Sequence, residues 1–217
     1  MEETTDNNTK STQSFLNSLI YVEDTALTTE MCVNLINYYN LYYNSDNTSD
    51  NEPLNLSYSK LSYFFLKPSE IGKEIIDEFY NSIIEHTNKY FNSNKLLSNH
   101  YDMYKNIIIP EYKFQIIKYE QNIGIFEYHD DFTINKDDNF CILTFIWYLN
   151  DVDNGGETEF FDEIKIKPKQ GRLLIFPSVW PYLHKGNIPL SSDKYILTGW
   201  VYAKNLFKTL NQIAVIK

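Results

Sequence analysis

The chain has 217 residues, 43 % hydrophobic and 16 % aromatic, which is enough to bury the core of one ordinary domain with a helical appendage. Its formal charge of -10 argues against a nucleic-acid backbone as the main partner, because phosphate binding relies on clustered Lys and Arg. The polar, acidic start lacks a secretory leader pattern and no run approaches the length of a membrane span, so a soluble, intracellular (cytoplasmic) protein is expected.

Arg172 is the only arginine, among abundant Lys, Asn, Ile and Tyr, which suggests an AT-rich coding source such as a large DNA virus, a protist or a bacterium. Cys32 falls in a predicted helix and Cys141 in a predicted buried strand. Two packed thiols are therefore expected rather than a disulfide, in keeping with a reducing compartment.

Residues 1–14 are polar and are expected to form a disordered N-terminal tail. Phe15 to Val22 reads as a first strand. Thr28 or Thr29 is placed to cap a helix beginning near Glu30, with Met31, Leu35, Ile36 and Tyr39 on its buried face. Asn44 to Asn55 is a polar loop. Ser69 reads as the N-cap of a longer helix whose apolar positions are Ile71, Ile75, Ile76, Phe79, Ile83 and Tyr90. His86 and His100 read as surface or cap residues.

After Pro110 the pattern turns to β: Tyr112–Tyr119, Phe140–Leu149, Glu157–Phe161, Arg172–Phe176 and Lys194–Ala203. The breaks carry turn residues, such as Asp153-Asn154-Gly155-Gly156, and are too short for crossover helices. Antiparallel pairing follows, and with it an α+β chain in which N-terminal helices support a double-stranded β-helix (jelly-roll) core. The expected divisions are the tail, a helical support region of the same domain over 15–110, the double-stranded β-helix core over 111–205 and a C-terminal segment over 206–217.

The chemistry concentrates in three places. His129 and Asp131 are two apart, so at the end of a strand both side chains point the same way. His184 can add a third ligand from a distant strand. Two imidazoles and one carboxylate on one octahedral face leave three positions open, the facial triad of non-haem Fe(II) oxygenases. Ten residues beyond His184, Lys194 supplies a cation where the far carboxylate of a keto acid needs one. Each element alone is commonplace; their joint order carries the weight.

The stretch from about Tyr112 to Tyr202 resembles the catalytic core of 2-oxoglutarate- and Fe(II)-dependent oxygenases of the prolyl 4-hydroxylase type. The matching pieces are Tyr119, His129-Asp130-Asp131, Cys141 to Asp151, Gly155-Gly156-Glu157-Thr158-Glu159-Phe160, Pro168 to Pro177, and His184-Lys185-Gly186 leading to Lys194 and Trp200. The resemblance implies that His129, Asp131 and His184 hold Fe(II), with Asp131 rather than Asp130 as the carboxylate. It implies that Lys194 pairs with the C5 carboxylate of 2-oxoglutarate and that Tyr119 and Thr144 donate hydroxyl hydrogen bonds to the same group. The catalytic set is then His129, Asp131, His184 and Lys194, with O2 as co-substrate and L-ascorbate as the family's re-reductant of iron. One departure is the Glu120-Gln121-Asn122-Ile123-Gly124 turn, a residue longer than the family's.

The function this implies is hydroxylation of a peptidyl proline, with 2-oxoglutarate converted to succinate and CO2. The expected partner is a proline-containing peptide or protein, with no membrane and no nucleic acid. The alternatives are the same chemistry on a lysyl side chain, a free amino acid or a nucleic acid, or a catalytically silent jelly-roll that binds a partner. Tyr128, Phe132, Trp147, Tyr148, Trp180 and Tyr182 are candidate rim aromatics, Trp147 and Tyr148 leaning to the core. The insert after Asp131, with Lys136, Asp137 and Asp138, reads as a lid. Gly155, Gly156 and Gly171 read as turn glycines, Gly186 as a close-approach glycine, and Trp200 as core packing behind the keto-acid pocket.

Overall fold

The structure, a computed structural model, describes residues 15–43, 59–99, 108–110 and 113–204. The expected tail, the Asn44–Asn55 loop, His100, Tyr112 and the 206–217 segment lie outside the described residues. Residues 15–17 are helical, and the Ser18 hydroxyl donates to the Phe15 carbonyl to close a turn. Only the end of the Phe15–Val22 run is therefore extended, in β1 (Tyr21–Glu23). Helix α1 (Thr29–Tyr43) begins where the Thr28 hydroxyl accepts from the Met31 N–H at 3.2 Å, as its capping position predicts.

Strands β2 (Ser59–Lys60) and β3 (Ser62–Phe65) precede two helices, where a single one was expected. Pro68 opens the short α2 (Pro68–Ile71), Gly72 at φ 95° breaks it, and α3 (Lys73–Ser93) follows. Ser69 thus sits inside α2 and not at an N-cap. Helix α3 buries Ile76, Phe79, Ile83 and Tyr90 as their spacing predicts. His86, on the same face, is buried and not a surface residue: Nδ1 lies 2.8 Å from the Ser82 carbonyl and Nε2 3.4 Å from Glu23 of β1.

After α4 (Lys95–Ser98) come β4 (Ile108–Pro110), β5 (Gln115–Tyr119), β6 (Ile125–His129), β7 (Phe140–Tyr148), β8 (Thr158–Phe160), β9 (Ile164–Ile166), β10 (Leu173–Pro177), β11 (His184–Gly186) and β12 (Lys194–Ala203). All pairings are antiparallel. The larger sheet runs β1-β10-β7-β12-β5-β3, with β4 also on β12, and the smaller runs β2-β6-β11-β8-β9. The chain is α+β, with a double-stranded β-helix core backed by helices.

Alternation along the strands gives the larger sheet two apolar faces. Phe145, Trp147, Leu197 and Ile116 pack towards the helices with Phe79 and Ile83. Ile146, Tyr148, Ile196 and Ile117 face the other way and meet Phe160 and Tyr119 in a second core. This second layer, between the sheets, is where the alternation also sends Thr144, Thr198, Lys194 and Gln115. Cys32 and Cys141 are buried free thiols. No helix among the described residues is long and apolar enough to cross a membrane.

Candidate active site

Strand pairing brings the first two ligands together, because His129 ends β6 directly opposite His184, which begins β11. Asp131 lies two residues past the end of β6. One ligand atom from each of the three falls within 4.8 Å of the others, and no other such group of His, Cys, Asp or Glu occurs among the described residues. Asp131 Oδ1 is 3.8 Å from His129 Nε2, and Oδ2 is 3.6 Å from His184 Nε2. Both imidazoles are turned by their other nitrogen: Nδ1 of His129 is 2.7 Å from the Glu127 carbonyl and Nδ1 of His184 is 3.1 Å from that of Tyr182. A carbonyl accepts from N–H, so both Nε2 lone pairs are free and aimed at one point. Burial pushes the His184 pKa down to about 4, which keeps its imidazole neutral. Asp130 does something else: its Oδ1 accepts from the Phe132 N–H in a local turn, and Asp131 is the converging carboxylate.

These groups line a cavity of about 200 Å³ between the sheets. Its walls are apolar, from Ile117, Phe126, Ile146, Ile196 and Trp200. At one end of it Tyr119 of β5 stands opposite Lys194 of β12. Lys194 is 1 % exposed and its ammonium makes no ion pair among the described residues. It donates to the Gly156 carbonyl at 2.9 Å and lies 3.5 Å from the Tyr119 ring centroid. Burial pulls its pKa down to about 7. Burial also raises that of the Tyr119 phenol, so it stays a hydrogen-bond donor. Gly186 makes room here, because a Cβ on it would meet Tyr119 Cε1 and Oη at 2.6 Å. A desolvated cation, a protonated phenol and a glycine cradle fit a carboxylate, and three converging neutral or anionic N and O donors fit Fe(II).

Residues 114–202 match the family model of the 2OG-Fe(II) oxygenase superfamily. This segment belongs to that superfamily. No curated protein matches the chain. Solved structures share the fold. The viral collagen prolyl hydroxylase of Paramecium Bursaria Chlorella virus-1 in complex with 2OG is 24 % identical at a TM-score of 0.58, over 85 % of this chain and 96 % of that one. A prolyl hydroxylase from Trichoplax adhaerens, in complex with a hypoxia inducible factor peptide fragment, is 20 % identical at 0.62, over 97 % and 96 %. A prolyl-4-hydroxylase from Pseudomonas putida is 15 % identical at 0.60, over 86 % and 93 %.

Within the oxygenase segment, several side chains sit where the sequence does not suggest. Thr144 pairs with Trp200, six positions along β12 from Lys194, or about 20 Å of strand. It therefore does not join Lys194 and Tyr119. Its hydroxyl donates to Asp131 Oδ2 at 2.7 Å and is backed by Ser178 Oγ at 2.9 Å, itself 3.3 Å from Cys141 Sγ. Near Lys194 the hydroxyl-bearing neighbours are Tyr148, opposite Ile196, and Thr158, which accepts from the Tyr148 phenol at 2.7 Å. Trp200 lines the cavity and is not core packing.

Of the candidate rim aromatics none lines the cavity. Trp147 and Tyr148 are core and Tyr182 is buried, while Tyr128 turns outward, its phenol donating to Asp162 at 2.7 Å. Phe132 and Trp180 are exposed, Trp180 at 74 %. The insert after Asp131 closes as a tight turn, the Asn135 carboxamide oxygen accepting from the Asp137 and Asn139 N–H groups. In the long turn after Tyr119, Gly124 is the residue the sharp return needs: a Cβ there would be 2.5 Å from Tyr119 Cα.

Proposed function

We propose that the chain is an Fe(II)- and 2-oxoglutarate-dependent dioxygenase that hydroxylates a peptidyl proline, with L-ascorbate sustaining it as a re-reductant of iron. The observation that carries the cofactor reading is Lys194. A lysine 1 % exposed, with no ion pair among the described residues, stands behind Tyr119 at one end of an apolar cavity that also holds three converging metal ligands. Such a cation is stable in that place when an anion joins it.

In this reading His129, Asp131 and His184 hold Fe(II), and Lys194 with the Tyr119 phenol pairs the C5 carboxylate of 2-oxoglutarate. Bound there, Fe(II) with 2-oxoglutarate and O2 supplies the oxidation: one oxygen atom enters succinate, the other the substrate C–H bond, and CO2 leaves. The Glu127 and Tyr182 carbonyls hold the two imidazoles in register, and Thr144 orients Asp131. Ile117, Ile146 and Ile196 keep water from the reacting centre. Lys194 lies against the Tyr119 ring, which puts the cation and the phenol side by side at that end of the site. Proline as target is supported by the aromatic walls, Trp200 and Phe126, on which a pyrrolidine ring packs well, and by the fold shared with prolyl hydroxylases.

The test is succinate release from 2-oxoglutarate by Fe(II)-loaded protein, with and without proline-rich and lysine-containing peptides. Peptide-stimulated succinate and a product heavier by one oxygen are expected. His129→Ala, Asp131→Ala and His184→Ala should each abolish turnover with the fold retained by circular dichroism. Wild-type turnover in any of them, or stimulation by lysyl peptides alone, would overturn the ligand set or the prolyl assignment respectively.

A further inference from the structure

The polar side chains lining the cavity fall into two groups. Thr144, Asp131, Thr158, Thr198, His129 and His184 are each hydrogen-bonded to other protein groups. Among the described residues, two buried lining groups have no side-chain partner: the Tyr119 phenol and the Gln115 carboxamide. Tyr119 is used at the Lys194 end. Gln115 is not used by anything derived so far.

Gln115 is 8 % exposed. It begins β5, four residues before Tyr119 on the same face, about 13 Å away along the strand. Its strand partner is Thr198, whose hydroxyl donates to the Gln115 backbone carbonyl at 3.3 Å, which fixes the backbone and leaves the carboxamide uncommitted. Trp200 is two residues beyond Thr198 on the same face of β12 and pairs with Thr144, the residue bonded to Asp131. The carboxamide therefore stands on the wall beside Trp200, at the opposite end of β5 from Lys194.

The carboxamide opens onto the cavity with no protein partner, where a leucine would fill the same wall without placing a polar group in it. Such a group belongs to a bound molecule. We infer that Gln115 is a specificity-determining residue whose Nε2–H donates to a backbone carbonyl of the substrate peptide beside the residue that is oxidised. This rests on the peptidyl-proline reading above and narrows it. A neutral donor and acceptor matches a peptide group. Lys194, at the far end, is taken by the keto acid in this reading, and no lysine or arginine lines the cavity among the described residues, so the carboxylate of a free amino acid would meet no counter-charge beside Gln115. The substrate is thus an internal residue of a chain.

The experiment compares the wild type, Gln115→Leu and Gln115→Glu on a terminally blocked proline-rich peptide and on free proline. Loss of one hydrogen bond in a desolvated site is worth about tenfold in binding. Gln115→Leu should raise KM for the blocked peptide about tenfold, with kcat, peptide-free succinate formation and 2-oxoglutarate affinity unchanged and Tm equal or higher. Gln115→Glu keeps the acceptor and loses the donor, and should be as weak as Leu. Calorimetric titration of the peptide into Mn(II)-loaded protein with 2-oxoglutarate should show the same loss without turnover.

An unchanged KM and unchanged binding in Gln115→Leu, with the wild type active on the peptide, would overturn the role of Gln115 and leave the prolyl reading standing. Wild-type activity on free proline and none on the blocked peptide would overturn the inference and keep the oxygenase. Stimulation by neither would overturn the prolyl reading and this inference together.

Discussion

Lys194 carries its charge into a place where water is excluded and makes no ion pair among the described residues, Glu157 only partly offsetting its burial. Its pKa of about 7 in the fold compares with about 10.5 in the unfolded chain. Between those values the unfolded chain holds a proton that the folded chain lacks, so the stability of the ligand-free protein should rise with pH from 7 to 10.5. Below pH 7 both states are protonated and this contribution is at its least favourable. Lys194→Met should remove the rise, increase Tm at pH 6, and abolish 2-oxoglutarate binding. Thermal melts at pH 6 and pH 9, with ligand titrations, check all three; a wild-type stability flat across the window would show that the ammonium is not desolvated. Thr144 makes a different prediction at the same scale. Thr144→Val removes the donor to Asp131 and should weaken Fe(II) or Mn(II) binding by about 10–100-fold. Metal titration of the variant decides it, equal affinity meaning that Asp131 is held without help.

At the level of elements, the site is a property of the β6–β11 pair and of what β5 and β12 place behind it. His129 and His184 face each other because the strands pair in that register, and the register shifts between His184 and Gly186. Gly186 then passes close over the Tyr119 ring. Gly186→Ala would drive its Cβ into Tyr119 while leaving the two imidazoles on their strands. The expected outcome is retained metal binding with 2-oxoglutarate affinity reduced more than tenfold, read by titrating metal and keto acid separately. Loss of metal binding as well would mean that β11 itself had moved. The His-x-Asp spacing was legible in sequence because period two at a strand end is a local property. The motif puts His129 at a strand end and His184 on a distant strand, but the bounds of β6 and β11 are not legible: Ile125–His129 is half-exposed and His184–Gly186 is three residues long, so neither carries an apolar alternation.

Across the whole molecule, the long strands were the readable ones. Lys194–Ala203 was delimited to the residue, and Phe140–Tyr148 to within one, since both are buried on two faces and rich in β-branched and aromatic side chains. The helix break at Gly72 escaped because apolar spacing continues through it from Ile71 to Ile75. His86 was misjudged because its burial depends on β1, some sixty residues earlier, packing across α3. The same kind of long-range contact explains Thr144: its place on β7 is plain, but only the alignment of β7 with β12 shows that it belongs to Asp131 and not to Lys194. A second open groove, about 720 Å³ and lined by Glu23, Glu74, Asp77, Glu78 and Glu85, contains none of the triad.

The first strand has a further consequence. Tyr21 pairs with Ile175, and Asp24, just past β1, is clamped by both Lys169 and Arg172, the latter 148 residues away. The edge it completes does not exist until β10 has been laid against β7. On a ribosome β1 must therefore wait until β7 and β10 have been made before it can dock. Such distant pairings put the chain among slow folders, with the amino-terminal strand added late to an assembled barrel.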